Sequence, residues 1–285
     1  MARRPLLPPH QASDTLVTMP LKRNYHTHTH RCKHASGDCE DYAREAMALG
    51  MEVLGFSDHT ALPDGRWDNV RMHMDELLDY ERAIMDAQNA FPDLMVLKAM
   101  ECEYTPEYHS FYADELLDKR DYDYLIGAGH YVGIDDHWYG AWTHSTAPEH
   151  LRYYVDQLIA TIDSGLFIFI AHPDVFGCCN HEWNADCEAA SRDICQAAVA
   201  KGVPLELNGY GIRKPWIDTP SGRRAMYPWL PFWEVAAAEG VQVVLSSDAH
   251  RPIDVGHGSE ELGAIRDHFG LQEVDVLDLL AQRMG

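Results

Sequence analysis

Short β-rich runs alternate with longer helical patterns along the chain, and this alternation constrains the fold more than any other feature. Seven runs have the pattern of strands, and several are continuously apolar, as expected for strands buried on both faces. The predicted strands are residues 23–28, 53–58, 95–102, 124–131, 167–172, 204–208 and 241–247. The predicted helices are residues 40–49, 75–90, 149–164, 186–200, 221–239, 260–269 and 273–284. Strand-then-helix repeats are typical of a parallel sheet covered by helices.

The number of repeats favours an α/β barrel. A doubly wound open sheet gives the same order of elements, so the periodicity leaves both architectures open. The chain has 285 residues, which suits one large α/β domain and leaves little room for a second. We predict that this domain spans residues 23–285. Residues 1–22 are predicted to be a flexible extension. They contain no apolar stretch of the kind found in secretory signals, so a signal peptide is not expected.

The composition argues against several classes of partner. The formal net charge of -22 disfavours binding to long nucleic acids, which requires clustered Lys and Arg to neutralise phosphates. A small anionic substrate is compatible with this charge where metal cations outweigh the local carboxylates. No apolar run reaches the roughly 18 residues that a membrane span needs. The 7 cysteines are odd in number and form no CxxC pair, which indicates reduced thiols in a cytoplasmic protein.

Histidines and carboxylates concentrate at the carboxyl ends of the predicted strands, where barrel enzymes carry their active sites. A single histidine at a strand end is more often a hydrogen-bonding residue than a metal ligand. Independent structural histidines would not fall at the same end of six of seven predicted strands, so together they predict a metal site. The candidate ligands are His26, His28, His34, His59, Glu101, His130, His172, Asp248 and His250.

The spacing within two of these groups suits shared coordination of a cation. Residues two apart on a strand point to the same face, so His26 and His28 can direct two imidazoles at one ion. Asp248 and His250 repeat this geometry. Imidazoles combined with a few carboxylates suit Zn, Fe or Mn, whereas carboxylates alone would suit Mg or Ca. The candidate ligands are too many for one ion.

The order of these motifs resembles the polymerase and histidinol phosphatase (PHP) superfamily. The resemblance covers most of the chain and rests on His26-Thr-His28 with His34, Asp58-His59, Glu101, Gly-His130, Ala-His172-Pro-Asp and Asp248-Ala-His250. Within the superfamily, residues 101–106, 206–215 and 247–252 are similar to the histidinol-phosphatase branch. The resemblance implies a distorted seven-stranded (β/α)7 barrel of the TIM type and a site for three divalent metal ions.

The resemblance also implies how the ligands divide among three ions, with Glu101 bridging two of them. The implied sets are His26, His28, Glu101 and Asp248 for the first ion, Glu101, His130 and His172 for the second, and His34, His59 and His250 for the third. The residues implied to be catalytic are His26, His28, Glu101, Asp248 and His250. No ligand position is missing, which argues against a decayed, non-catalytic relative.

Three further residues are predicted to contact the substrate. Arg213 follows the sixth predicted strand and is expected to bind phosphate through two hydrogen bonds, with Lys214 as a nearby point charge. The alternative for Arg213 is a surface arginine paired with a carboxylate. Glu103 alternates with Glu101 along its strand, so it either accepts the cationic end of a substrate or orients a ligand imidazole. Cys32 is interpreted as a buried structural thiol.

The resemblance implies metal-dependent hydrolysis of a small phosphate monoester, with L-histidinol phosphate of histidine biosynthesis as the expected substrate. Two alternatives stay open. One is a PHP phosphoesterase that acts on nucleotides or oligonucleotide ends, although the acidic chain disfavours long polymers. The other is a non-catalytic metal-binding regulatory module, which would be expected to lack ligands or to adjoin a large second domain. The Trp- and His-rich loop at residues 135–145 is expected to influence which substrate fits.

Overall fold

The computed structural model of the chain describes residues 21–284. The flexible extension predicted for residues 1–22 lies almost entirely outside the described residues. The strands are β1 (Arg23–Asn24), β2 (Val53–Phe56), β3 (Met95–Glu103), β4 (Tyr124–Ala128), β5 (Tyr131–Ile134), β6 (His137–Gly140), β7 (Phe169–Ile170), β8 (Leu205–Asn208), β9 (Ile217–Thr219), β10 (Gly222–Arg224), β11 (Gln242–Ser246) and β12 (Gln272–Glu273).

Helices follow most of the strands of the main sheet. The α-helices are α1 (Cys39–Ala48), α2 (Leu77–Ala90), α3 (Ala141–His144), α4 (Pro148–Asp163), α5 (Ala185–Lys201), α6 (Tyr210–Arg213), α7 (Leu230–Glu239), α8 (Ser259–Phe269) and α9 (Val276–Met284). A π-helix spans Phe111–Lys119, and 3-10 helices span His30–Cys32, Met74–Glu76, Pro106–Tyr108, Val175–Cys178 and Pro252–Asp254. None of the described helices is both long and apolar enough to cross a membrane.

Eight strands form one curled parallel sheet in the order β1-β2-β3-β4-β7-β8-β11-β12. The first seven of these correspond, in the same order, to the seven predicted strands. At their carboxyl ends β1 and β11 approach each other, because Thr27 and Ala249 form a parallel bridge and the His28 N–H donates to the Ala249 carbonyl at 2.9 Å. The predicted TIM-like α/β architecture is confirmed. The predicted strand count is corrected, since the short strand β12 adds an eighth strand beside β11.

The interior of the curled sheet is filled by large side chains that leave little free space. Tyr124 on β4 is buried, and its hydroxyl donates to the Tyr25 carbonyl at 2.6 Å. Gly55 on β2 lies against this hydroxyl, and a Cβ at that position would approach Tyr124 Oη to 1.9 Å. Glycine is therefore required at residue 55 by a close approach of neighbouring groups.

Helix α5 packs between α4 and α7 on the outside of the sheet. Its ends have the residues that such ends favour: the Asn184 side chain accepts from the Cys187 N–H at 2.9 Å, and Gly202 ends the helix with φ 65°. The predicted bounds of this helix, residues 186–200, differ from the observed bounds by one residue at each end.

The helix predicted for residues 221–239 is shorter in the structure and begins at Leu230. Proline has no backbone N–H and fits only the first turn of a helix, so Pro228 and Pro231 prevent the helix from extending backwards. Strands β9 and β10 form an antiparallel hairpin in the preceding segment. A second hairpin, β5–β6, and the π-helix Phe111–Lys119 were also not predicted.

Candidate metal centre

All nine predicted ligands lie together at the carboxyl end of the sheet. Each is in or just beyond a strand, except His34, which follows the 3-10 helix His30–Cys32. His34 is exposed, and 18% of the His130 side chain is exposed. The other seven ligands are buried, and these are His26, His28, His59, Glu101, His172, Asp248 and His250. The structure therefore brings the whole predicted set into one cluster.

Four side chains at the centre of the cluster have the spacing expected around one cation. His26 Nε2 lies 3.0 Å from His28 Nε2, and both nitrogens are 3.5 Å from Glu101 Oε2. Asp248 Oδ1 is 3.7 Å from His26 Nε2 and 3.2 Å from His28 Nε2. Ligands that are about 2.1 Å from a tetrahedral ion are about 3.4 Å from each other. The first predicted set thus has the dimensions of a tetrahedral site.

Glu101 directs its two oxygens at different groups of imidazoles. Oε2, which faces the first set, also lies 2.8 Å from His59 Nδ1. Oε1 lies 3.0 Å from His172 Nε2 and 3.5 Å from His130 Nε2. This position between two groups is the one that a bridging ligand would occupy.

The third predicted set lies at the rim. The ring centroid of His34 is 5.2 Å from that of His59 and 4.9 Å from that of His250. Ligand atoms of His59, His250 and His28 all lie within 4.8 Å of one another, as do those of His34, His250 and Cys32. Burial raises the pKa of the Cys32 thiol, which agrees with its interpretation as a structural thiol.

Buried carboxylates fix the orientation of two imidazoles. His26 Nδ1 donates to Glu206 Oε1 at 2.8 Å, and His130 Nδ1 donates to Glu103 Oε1 at 2.5 Å. Each bond leaves the Nε2 lone pair facing the cluster and makes the imidazole a stronger ligand. This contact suits the second of the two roles considered from the sequence, the orientation of a ligand imidazole, and the role of Glu103 stays a prediction.

Glu206 and Asn208 on β8 support the cluster although neither was predicted to take part. Glu206 Oε2 accepts from the His172 backbone N–H at 3.0 Å and from Asn208 Nδ2 at 2.8 Å. The same amide donates to Asp248 Oδ2 at 3.0 Å. Two polar residues at alternate positions of a buried strand share one face, and this pattern was the signal that could have identified them.

Neighbouring charges and burial set the protonation states of the cluster. Burial by itself would raise the pKa of Glu101, but His130 and other imidazoles outweigh it and hold that pKa well below its ordinary value. The same balance of burial against imidazoles lowers the pKa of Asp248. Burial lowers the pKa of His59 and of His250 well below the ordinary value.

Burial by itself would also lower the pKa of His26, but neighbouring carboxylates, Glu206 first, outweigh it and raise that pKa. At His130 burial likewise acts to lower the pKa, but the carboxylates, Glu101 first, outweigh it and raise the pKa. Metal ions bind ionised carboxylates and neutral imidazoles, so metal binding at His26 and His130 would release protons.

Two further observations fit a bound cation at the cluster. Asp248 Oδ1, which faces His26 and His28, is buried and has no hydrogen-bond partner among the described residues. The backbone is left-handed at Asp248, with φ 49°, and at His172, with φ 27°, and such strain in residues other than glycine concentrates at functional sites. The donor set, its spacing and its charge therefore fit divalent metal ions.

The cluster forms part of the wall of a cavity of about 410 Å³. Six of the imidazoles and both carboxylates line it. Four of the eleven other lining residues are aromatic, and one of them, Tyr210, stacks on the His250 ring with centroids 4.3 Å apart. Two cationic side chains, Arg71 and Lys214, also line the cavity. The aromatic lining residues are Tyr131, Trp142, Tyr210 and Tyr227.

A family model described as the PHP domain matches residues 24–209, more than half of the chain. The chain belongs to the PHP domain family. A protein from Deinococcus radiodurans named probable histidinol-phosphatase is 30% identical over 264 residues, which cover 86% of this chain and 93% of that protein. A protein of the same name from Schizosaccharomyces pombe is 27% identical, with 91% and 90% of the two chains covered.

Solved structures show the same PHP fold. A histidinol phosphate phosphatase from Lactococcus lactis, complexed with zinc, L-histidinol and phosphate, superimposes with a TM-score of 0.67 at 16% identity. The match covers 88% of this chain and 95% of that chain. At this identity the comparison establishes the shared fold.

Two of the residues predicted to contact the substrate of this PHP domain are not among those that line its cavity. Arg213 Nη2 donates to the backbone carbonyls of Ser247 and Asp248 at 2.8 and 2.9 Å, so the guanidinium lies against the backbone that carries Asp248. Glu103 is buried behind His130. Nε and Nη1 of Arg213 are buried and have no hydrogen-bond partner among the described residues. These positions suit supporting roles for both residues, and their predicted contacts with substrate stay predictions. Lys214 lines the cavity, and its contact with substrate stays a prediction.

Residues 135–145 place two side chains, Trp142 and Thr143, on the cavity wall of the PHP domain. Trp138 from the same segment packs edge-on against Trp67, with ring centroids 5.2 Å apart. The prediction that this segment influences substrate choice stays a prediction, and Trp142 is the side chain through which it would act.

Proposed function

We propose that this protein is a metal-dependent phosphatase that hydrolyses small phosphate monoesters, and that L-histidinol phosphate is its substrate. The main support is the buried cluster at the carboxyl end of the sheet, where Glu101 directs one oxygen at each of two groups of imidazoles. Both relatives described above are named probable histidinol-phosphatase, and the similarity extends over nearly the whole of each chain. The Lactococcus lactis protein of the same fold binds L-histidinol and phosphate with zinc.

The nine clustered residues would hold three divalent ions, with zinc, iron or manganese suited to the mixture of imidazoles and carboxylates. When bound, such ions supply the Lewis acidity that activates water and neutralises charge on a phosphate ester. The first set would be His26, His28, Glu101 and Asp248, the second Glu101, His130 and His172, and the third His34, His59 and His250.

The chain itself contributes orientation and charge to the reaction. Glu206 and Glu103 hold the rings of His26 and His130, so the ligand nitrogens are in place before substrate binds. Lys214 adds a positive charge at the cavity wall, where it favours a phosphate dianion. A substrate that packs against the aromatic residues of the wall would displace water from the cluster, which would strengthen the electrostatic interactions there.

The cavity is suited to a small substrate rather than a polymer. A volume of about 410 Å³ lies within the range of small-molecule sites. Aromatic side chains such as Tyr131 and Trp142 can pack against a flat imidazole ring, as histidinol phosphate carries. The net charge of -22 disfavours long nucleic acids at the surrounding surface.

Phosphate release tests the proposal directly. The protein should be loaded separately with zinc, manganese and iron and assayed against histidinol phosphate, nucleoside monophosphates, sugar phosphates and p-nitrophenyl phosphate. We expect the highest kcat/KM for histidinol phosphate, loss of activity on prolonged chelation, and close to three divalent ions per chain by elemental analysis. A nucleotide preferred tenfold or more would reject the histidinol assignment. One ion or fewer with full activity would reject the three-ion site.

A further inference from the structure

Arg71 is a buried arginine in the segment between β2 and α2, and it lines the cavity. Only 2% of the residue is exposed. Within residues 21–284, no carboxylate oxygen lies within 4.0 Å of its guanidinium nitrogens, and its Nε has no hydrogen-bond partner. Buried charges in proteins are normally paired, because removing a lone charge from water is costly. A buried, unpaired guanidinium at a cavity wall is therefore a site that needs an anion.

The guanidinium is held in place by groups that do not neutralise it. Arg71 Nη1 donates to the Thr60 carbonyl at 3.0 Å, and the guanidinium carbon lies 5.1 Å from the centre of the Trp67 ring. Trp67 is in turn stacked on Tyr131, with centroids 4.3 Å apart and planes inclined by only 7°. The side chain is thus positioned by packing before any ligand arrives, which lowers the entropic cost of binding.

The carboxylates nearest the cavity are already engaged. Glu101 and Asp248 are surrounded by the imidazoles of the cluster, and Glu103 accepts two hydrogen bonds from His130. None of them pairs with Arg71.

Arg71 also lines a second cavity with the exposed residues Asp64 and Asp68, and neither of these forms an ion pair with it. We therefore expect its anion to come from a ligand in the cavity of the cluster. The reaction proposed above brings one anion to this place, the phosphoryl group of the substrate.

We propose that Arg71 binds the phosphoryl oxygens of the substrate, the role that the sequence suggested for Arg213. This inference rests on the proposed phosphatase function. Arginine suits it because its planar fork of donors matches phosphate oxygens, and the bond to Thr60 uses only one part of that fork. Arg71 follows β2 and Lys214 follows β8, which are the second and sixth strands of the sheet. The two cations therefore approach the phosphoryl group from different loops of the rim.

The test compares Arg71→Met and Arg71→Lys with Arg66→Met in zinc-loaded protein. Arg66 is a matched control, because its guanidinium contacts the same Trp67 ring, at 5.5 Å, but it is paired with Asp64 and Glu107. Arg71→Met should raise the Kd of inorganic phosphate, measured by calorimetry, by roughly ten- to a hundredfold, with metal content unchanged. Arg71→Lys should fall between this variant and the unsubstituted protein. Arg66→Met should bind phosphate within about twofold of the unsubstituted protein.

An unchanged Kd for phosphate in fully metal-loaded Arg71→Met would overturn the inference. So would a loss confined to substrates with a second anionic group, with inorganic phosphate and p-nitrophenyl phosphate unaffected, since the anion would then belong to the leaving group. If Arg71→Met does not fold, a crystal structure of the unsubstituted protein with zinc and phosphate decides, because a phosphate oxygen should lie within hydrogen-bond distance of Arg71. A phosphate bound out of its reach would refute the role. Arg71-dependent phosphate binding in a protein that hydrolyses no monoester would reject the phosphatase proposal alone.

Discussion

Replacing Glu103 with Gln keeps the shape of a buried side chain but removes its charge, so it distinguishes an orienting carboxylate from a substrate contact. The carboxylate accepts from His130 Nδ1 at 2.5 Å and from the His130 backbone N–H at 3.1 Å. A hydrogen bond to a charged group contributes about 1.5–3 kcal/mol, and a neutral one about 0.5–1.5 kcal/mol. The variant should lose about 1–2 kcal/mol of the interaction that holds the His130 ring, which is roughly 5- to 30-fold in an equilibrium constant.

The loss should appear in metal binding and not in substrate preference. Glu103→Gln is expected to lower metal content, measured by elemental analysis after dialysis against buffered zinc, and to lower kcat/KM for histidinol phosphate and p-nitrophenyl phosphate by the same factor. Excess metal should restore part of both activities. Glu107→Gln is the control, because this neighbouring carboxylate is exposed and should behave like the unsubstituted protein.

A different pattern would refute this reasoning. If Glu103→Gln has normal metal content and loses tenfold more activity toward histidinol phosphate than toward p-nitrophenyl phosphate, the carboxylate contacts the cationic end of the substrate. The hydrogen bonds between Glu103 and His130 would then be broken when the substrate binds.

Asp248→Ala should abolish turnover and lower metal content in elemental analysis, because this carboxylate faces two imidazoles of the first set. Arg213→Ala should lower Tm and metal content, since the guanidinium holds the backbone at Asp248, while phosphate inhibition at saturating metal should stay unchanged. Weakened phosphate inhibition with normal metal content would support the predicted contact between Arg213 and phosphate. Gly55→Ala should destabilise the fold by about 1–3 kcal/mol in urea unfolding, because its Cβ would collide with Tyr124. Gly263→Ala in α8 is the control and should be neutral or stabilising, since the nearest atom to its Cβ would be 3.9 Å away.

The clustering of the nine candidate ligands could be predicted because it depends on two regularities that sequence displays directly. Parallel strands end at the same edge of a sheet, and residues two apart on a strand share a face. His26 and His28 lie just past the end of β1 and not on it, but they keep the expected spacing, and their Nε2 atoms are 3.0 Å apart. Strand β12 gave no such signal, because it consists of the two exposed polar residues Gln272 and Glu273. Its existence depends on pairing with β11, which is a tertiary contact.

The hairpin β5–β6 was not predicted because its turn lacks the usual residues. Asp135 and Asp136 connect the strands, and both have positive φ, 48° and 63°. Two consecutive positive φ values are typical of the tight hairpin turns that Asn-Gly and Asp-Gly favour. Because the turn is Asp-Asp and not Asn-Gly or Asp-Gly, its sequence resembles that of an ordinary polar loop. The hairpin is supported instead by Trp138, which packs on Trp67 far away in sequence.

The dependence on tertiary contacts also explains why the sequence leaves two roles open for Glu103. Its alternation with Glu101 correctly predicts the face of β3 on which it lies, but not what covers that face. In the observed register Glu103 pairs with Ala128, the last residue of β4. His130 comes two residues after Ala128 and so lies just past the end of that strand. Its imidazole can therefore reach back over the Glu103 carboxylate and separate it from the cavity. A shift of the register would place another residue there, and the strand sequences alone do not specify that register. The ligand set follows from periodicity within each strand, whereas the substrate contacts depend on how neighbouring strands and loops are aligned.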